Sequence, residues 1–195
     1  MRNANIDRKT TETDISLSFN LDGSGQYQLN TGCGFFDHML QLFTAHGKFD
    51  LSVECTGDTH VDFHHTIEDI GISLGNALSQ ALSDKRGITR YGSVLLPMDE
   101  SLALVSIDIS GRSFINFDVT MPQSRVGDFD TELVEEFFTS LARAASITLH
   151  IKLLEGKNTH HIIECIFKAF GRALQKACFI DKNVGGEIPS TKGLL

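Results

Sequence analysis

Hydrophobic positions along the chain change period several times. From Asp14 to Leu21 apolar and polar residues alternate, the period of a half-buried strand. Asp22-Gly-Ser-Gly then supplies a turn, and Gln26–Asn30 reads as the hairpin partner. Phe36–Phe43 is helix-like and Phe49–Val53 strand-like, and beyond His64 the apolar residues Ile67, Ile70, Leu74 and Leu78 recur at helical spacing. Ser93–Met98, Leu102–Ile109 and Phe114–Val119 predict three more strands. Met121–Asp128 reads as a loop, Leu133–Leu141 as a helix and Ile147–Leu154 as a strand. Ile163, Phe167, Phe170 and Leu174 mark a closing helix, and the tail Asn183–Gly193 has too many breakers for anything but a loop or extended arm.

These elements form two copies of one unit. Each runs from a helix through a strand into a second helix, which opens with His-His-x-x-Glu: His64-His-Thr-Ile-Glu in one and His160-His-Ile-Ile-Glu in the other. We therefore expect an α+β fold made of a duplicated half-domain, with pseudo-twofold related halves spanning 1–92 and 93–195. Each half is expected to be a mostly antiparallel sheet with helices packed on one face.

Composition narrows the function. The 195 residues carry 17 Lys+Arg against 25 Asp+Glu, a net charge of −8, which argues against a nucleic-acid binder. The apolar runs are far too short for a bilayer, and the first residues lack the apolar stretch of a secretory signal, so no membrane association is expected. The four cysteines, Cys33, Cys55, Cys165 and Cys178, have no C-x-x-C spacing and read as reduced thiols of a cytoplasmic protein.

The eight histidines all fall between His38 and His161. On a helix, residues i and i+4 share a face, so His64 converges with Glu68 and His160 with Glu164. Adjacent residues diverge by about 100°, so the members of each His-His pair suit two ions better than one. His38 precedes the first pair by 26 residues; its counterpart in the slightly shorter second unit is Glu136. The candidate metal set is therefore His38, His64, His65, Glu68, Glu136, His160, His161 and Glu164. Imidazole and carboxylate without thiolate favour Mn²⁺ or Fe²⁺ over Zn²⁺. His46 is a candidate to face the site, whereas His60 and His150 lie outside the repeat and read as structural. Separately, Arg90, Arg112 and Lys192, with Ser190 and Thr191 beside the lysine in a Gly-rich tail, offer the donors that a phosphate needs.

The tandem His-His-x-x-Glu motifs, with Arg8-Lys-Thr-Thr-Glu-Thr, Phe35-Phe-Asp-His-Met-Leu, Pro97-Met-Asp-Glu and Pro189-Ser-Thr-Lys-Gly, resemble imidazoleglycerol-phosphate dehydratase over essentially the whole chain. The resemblance implies a ribosomal protein S5 domain 2-like duplicated fold and a hydro-lyase of histidine biosynthesis. It implies conversion of D-erythro-imidazole-glycerol phosphate to imidazole-acetol phosphate, with two Mn²⁺ per active site. It further implies self-association into a 24-subunit shell with active sites between subunits. It gives metal roles to His38, His64, His65, Glu68, His160, His161 and Glu164. It gives substrate roles to Glu12, His38, His46, His64, His65, Arg90, Arg112, His160, Ser190, Thr191 and Lys192. Several relatives have His where this chain has Glu136, whose carboxylate can still bind Mn²⁺.

The chemistry fits these residues. The proton to be removed lies on a carbon with no neighbouring carbonyl, so the substrate's imidazole must act as the electron sink. Metal binding would favour the imidazolate, and loss of hydroxide would give a diazafulvene-like intermediate. Glu12, Glu68, Glu164 or a metal-bound water would be the general base. Two other classes compete: a two-metal phosphoester hydrolase, which would usually show Asp-rich bridging ligands, and a non-catalytic metal-binding shell, which needs neither a phosphate loop nor Glu12.

Overall fold

Strand β1 (Asn3–Lys9) opens the chain, followed by β2 (Thr13–Asn20), β3 (Tyr27–Asn30), α1 (Gly34–Gly47), β4 (Asp50–Gly57) and α2 (His64–Leu82). The second half comprises β5 (Tyr91–Met98), β6 (Ser101–Asp108), β7 (Phe114–Asp118), β8 (Arg125–Val126), β9 (Phe129–Asp130), α3 (Leu133–Ala145), β10 (Thr148–Glu155) and α4 (Thr159–Cys178). This computed structural model describes residues 2–184 and 186–195; Gly185, within the tail read as a loop, lies outside the described residues, as does Met1.

The β8–β9 ribbon aside, the order β-β-β-α-β-α occurs twice. The sheets repeat it, with strand orders β1-β2-β4-β3 and β5-β6-β10-β7. In each, the last strand lies antiparallel to the second and parallel to the third. The expected duplicated α+β architecture is therefore present.

Three local expectations need correction. Tyr27–Asn30 is no hairpin partner of β2: it runs parallel to β4, which lies between them. The Asp50 carboxylate accepts N–H bonds from Ser24 (2.8 Å) and Gln26 (3.0 Å), holding the connection over the start of β4 and delivering β3 to its far side. Strand β1 escaped the pattern because it is a polar edge with only Ala4 and Ile6 apolar, as edges commonly are. The Met121–Asp128 loop also contains β8, which pairs with β9 around Gly127 at φ +63°.

Helix α2 packs on β1 and β2, and α4 on β5 and β6. The helices also pack across the halves, α1 on α4 and α2 on α3. Phenylalanines fill the junctions: Phe43 stacks on Phe170 at 5.4 Å, and Phe36 meets Phe137 edge-on at 5.1 Å. All four rings are essentially inaccessible. At roughly 1.5–3 kcal/mol per fully buried ring, this shared core binds the halves into one unit.

Two glycines set the helix spacing. A Cβ on Gly75 of α2 would lie 2.6 Å from the Leu141 carbonyl oxygen, and one on Gly171 of α4 would lie 2.5 Å from the Phe43 oxygen. Each glycine stands seven residues after its half's His-His-x-x-Glu glutamate, two turns along the same face. Those glutamates therefore look toward a helix of the other half.

Candidate metal and phosphate sites

Both His-His pairs sit in the first turn of a helix, and a side chain just ahead of each helix accepts from its leading N–H groups. The Asp62 carboxylate accepts from the His64 N–H at 2.7 Å. The Asn158 side chain accepts from His160 N–H at 3.0 Å and His161 N–H at 3.4 Å. With their first turns fixed, α2 and α4 project their histidines and glutamates in defined directions.

Six of the predicted ligands form two clusters. His38, His160 and Glu164 bring donor atoms within 4.8 Å of one another, and so do His64, Glu68 and Glu136. Each cluster crosses the halves: His38 of α1 serves the motif on α4, and Glu136 of α3 serves the motif on α2. The pseudo-twofold axis thus exchanges two equivalent triads. In the first, His38 Nε2 lies 2.7 Å and His160 Nε2 3.5 Å from Glu164 Oε1. Glu164 Oε2 accepts instead from Lys168 Nζ at 2.9 Å. Burial pushes the Glu164 carboxyl upward, but Lys168 and then His38 outweigh it and hold the pKa down at about 2. Glu68 has Ile72 at the matching i+4 position, so the triads differ in charge. The donor set, imidazoles and carboxylates without thiolate, fits a divalent cation of the Mn²⁺ type.

His65 and His161 stay out of both clusters. His65 faces Asp58 through Nδ1 (2.9 Å) and Glu12 through Nε2 (3.7 Å). His161 faces Glu100 through Nδ1 (2.8 Å) and Asp99 through Nε2 (3.9 Å). Donating these hydrogen bonds to Asp58 and Glu100 raises the two imidazoles above their ordinary pKa. Within each pair the rings stand nearly perpendicular, at 88° and 85°, as the divergence of adjacent helical residues requires.

The phosphate candidates gather elsewhere. Arg90, Arg112, Ser190, Thr191 and Lys192 line one cleft of about 510 Å³, which no member of either triad lines. Arg90 is committed to a bidentate pair with Asp108 at 2.6 and 3.1 Å and to the Pro189 oxygen at 3.0 Å, anchoring the tail. Among the described residues the Arg112 side chain donates only to the nearby Ser110 carbonyl, and Lys192 is exposed. Half-buried His46 closes α1, its pKa lowered first by burial and then by Lys168 and Arg172. Contrary to a structural reading, His60 and His150 are exposed; His150 only lies against Phe114.

Sequence reasoning missed four charged neighbours. Asp99 and Glu100 stood in the quoted Pro97-Met-Asp-Glu motif without a role, and Lys168 was signalled by its i+4 spacing from Glu164. Asp58, seven residues before His65, had no local signal.

Comparison with known proteins places the chain in a family. Residues 31–174 match the family model for imidazoleglycerol-phosphate dehydratase. The enzyme of that name from Desulforamulus reducens is 58% identical over 194 residues, covering 100% of this chain and 98% of its own. The one from Acetivibrio thermocellus is 56% identical, covering 100% and 99%. The crystal structure of the Staphylococcus aureus enzyme superposes with a TM-score of 0.84 at 44% identity, over 92% of this chain and 99% of its own. The Pyrococcus furiosus structure gives 0.84 at 38%, over 97% and 100%. This chain belongs to the imidazoleglycerol-phosphate dehydratase family of hydro-lyases.

Proposed function

We propose that the chain dehydrates D-erythro-imidazole-glycerol phosphate to imidazole-acetol phosphate in histidine biosynthesis, using two Mn²⁺ per active site held by the paired triads. The observation that carries this reading is the pair of imidazole–carboxylate clusters exchanged by the pseudo-twofold axis. Bound divalent cations would supply Lewis acidity to the substrate's imidazole, the electron sink that the reaction needs.

The chain's own groups divide the remaining work. Arg112 and Lys192, with Ser190 and Thr191, hold the phosphate, while Arg90 fixes the tail that carries three of them. Glu164, held by His38, His160 and Lys168, serves as a ligand rather than as the proton carrier. Glu68 has the equivalent place in the other triad. Glu12 is an exposed carboxylate at the β1–β2 turn, and we assign it the proton transfer at the hydroxyl-bearing carbon. His46, beside Lys168, contacts substrate.

Completion by neighbouring copies follows from the same arrangement. Each triad offers three donors, His65 and His161 turn their Nε2 atoms elsewhere, and the cation cleft is lined by neither triad. Self-association into a 24-subunit shell would bring these parts together. No helix among the described residues is long and apolar enough to cross a membrane, and all four cysteines are free thiols, which supports a cytoplasmic enzyme.

The test is incubation with Mn²⁺ and the phosphorylated imidazole substrate. Ketone formation without phosphate release supports the dehydratase. Phosphate release would indicate a two-metal hydrolase, and neither product a metal-binding shell.

A further inference from the structure

The duplicated halves reach one local geometry by different routes. His65 and His161 occupy equivalent positions, and each has a carboxylate against Nδ1: Asp58 Oδ2 at 2.9 Å and Glu100 Oε2 at 2.8 Å. Asp58 comes from the loop between β4 and α2. Glu100 comes from the β5–β6 turn, the counterpart of the turn that holds Glu12. The first residue after β10, the counterpart of Asp58 after β4, is Gly156, which has no side-chain acceptor. The same contact is thus made twice without a common sequence origin, which copying of one ancestral loop does not explain.

A carboxylate only accepts hydrogen bonds, so each Nδ1 facing one is the protonated nitrogen. Nε2 of each ring is then the lone-pair nitrogen. Its nearest carboxylates, Glu12 at 3.7 Å and Asp99 at 3.9 Å, are beyond hydrogen-bond range, so among the described residues neither engages it. Partners of this kind fix the orientation and tautomer of metal-binding histidines and increase their basicity.

We propose that Asp58 and Glu100 are positioning residues that hold His65 and His161 with Nε2 ready to bind metal. This rests on the reading of those histidines as ligands. Glu100 divides its labour: Oε1 accepts the Asn158 N–H (2.7 Å) and the Lys157 N–H (3.3 Å) ahead of α4, while Oε2 takes His161. Glu100→Gln separates these tasks. Its amide oxygen is retained by the two backbone donors, so the NH₂ group faces Nδ1. Two donors cannot pair, and the ring is driven to the tautomer whose Nε2 carries the proton and cannot ligate. Asp58 differs, because its Oδ1 is buried without a partner among the described residues. In Asp58→Asn the amide can turn its oxygen to His65, whereas Asp58→Leu offers no acceptor.

The experiment measures Mn²⁺ affinity from the free-ion electron paramagnetic resonance signal, with circular dichroism as the folding control. Glu100→Gln is expected to stay folded and bind Mn²⁺ roughly 10- to 100-fold more weakly, the usual effect of losing such a partner. A role confined to anchoring the loop before α4 would leave affinity unchanged; a folded Glu100→Gln with wild-type affinity overturns the proposal. If Glu100→Gln fails to fold, the Asp58 pair decides. Asp58→Leu at least tenfold weaker than Asp58→Asn supports the proposal, and equal affinities overturn it. His161→Ala separates the underlying reading. Weak binding by His161→Ala with tight binding by Glu100→Gln overturns the positioning role alone, and wild-type binding by His161→Ala overturns the ligand reading and this inference together.

Discussion

Replacing Gly171 by alanine tests whether helix spacing builds the first triad. The added Cβ would sit 2.5 Å from the Phe43 carbonyl oxygen and 3.1 Å from the Gly47 nitrogen. Both are backbone atoms in the middle and at the end of α1, so no rotamer change relieves the contact. Ordinary separations for such atoms begin near 3.5 Å, so α1 and α4 must part by roughly 1 Å. Overpacking of this kind costs about 1–3 kcal/mol, and the gain in helix propensity from Gly to Ala returns about 1. A net loss of up to about 2 kcal/mol should lower the melting temperature by up to roughly 8 °C for a domain of this size, compared at equal protein concentration. The site should suffer more than the fold. His38 on α1 and Glu164 on α4 are 2.7 Å apart, and a displacement of about 1 Å in a catalytic constellation can cost roughly a hundredfold in rate. Mn²⁺ titration should show one of two sites weakened, because the α2–α3 triad is untouched. Gly34→Ala is the control, since nothing lies within 4 Å of its Cβ position. A Gly171→Ala protein with unchanged melting temperature and two wild-type Mn²⁺ sites would refute the reasoning.

Other expectations follow from the remaining parts of the site and fold. Arg112→Ala and Lys192→Ala each remove one charge-assisted contact to phosphate, worth roughly 1.5–3 kcal/mol, so kcat/KM should fall about ten- to a hundredfold with Mn²⁺ binding intact. Steady-state kinetics that match wild type for both variants would move the phosphate elsewhere. Chelation should abolish activity and give a smaller sedimenting species, which Mn²⁺ reverses; an unchanged profile after confirmed metal loss would uncouple assembly from metal. The Ser24 N–H bond, then those of Gln26 and Gly25, helped by Asn20, hold Asp50 below the usual carboxylate pKa. Its folded pKa lies below the unfolded value, so its contribution is present above about pH 3.9 and is lost as pH falls through the folded value. Denaturant melts of Asp50→Asn should therefore show a shallower loss of stability below pH 4 than wild type.

The duplicated architecture was legible because both halves carry the same motif in the same order of elements. Strand neighbours were not, since alternation from Asp14 to Leu21 marks a strand without saying what lies beside it. The Asp50 side chain, remote in sequence from Ser24, decided that β3 joins β4. The ligand types at the site were legible for a similar reason: i,i+4 spacing fixes His64 with Glu68 and His160 with Glu164. Their partners required knowledge of which helices pack together. Sequence order puts His38 just before the first motif, yet α1 packs on α4, so His38 serves the second. One signal for this was present in Gly75 and Gly171, each seven residues beyond its glutamate and on the face where another helix approaches. The roles of Asp58 and Glu100 were hidden because contacts between loops leave no periodic trace.

The central claim is that each metal centre is built from helices of both halves, α1 with α4 and α2 with α3. Anomalous diffraction at the manganese edge from crystals grown with Mn²⁺ tests it most directly. Two peaks per chain are expected, one within coordination distance of His38, His160 and Glu164 and the other of His64, Glu68 and Glu136. Peaks that instead join His38 to His64 and Glu68 within the first half, or that avoid both clusters, would contradict it.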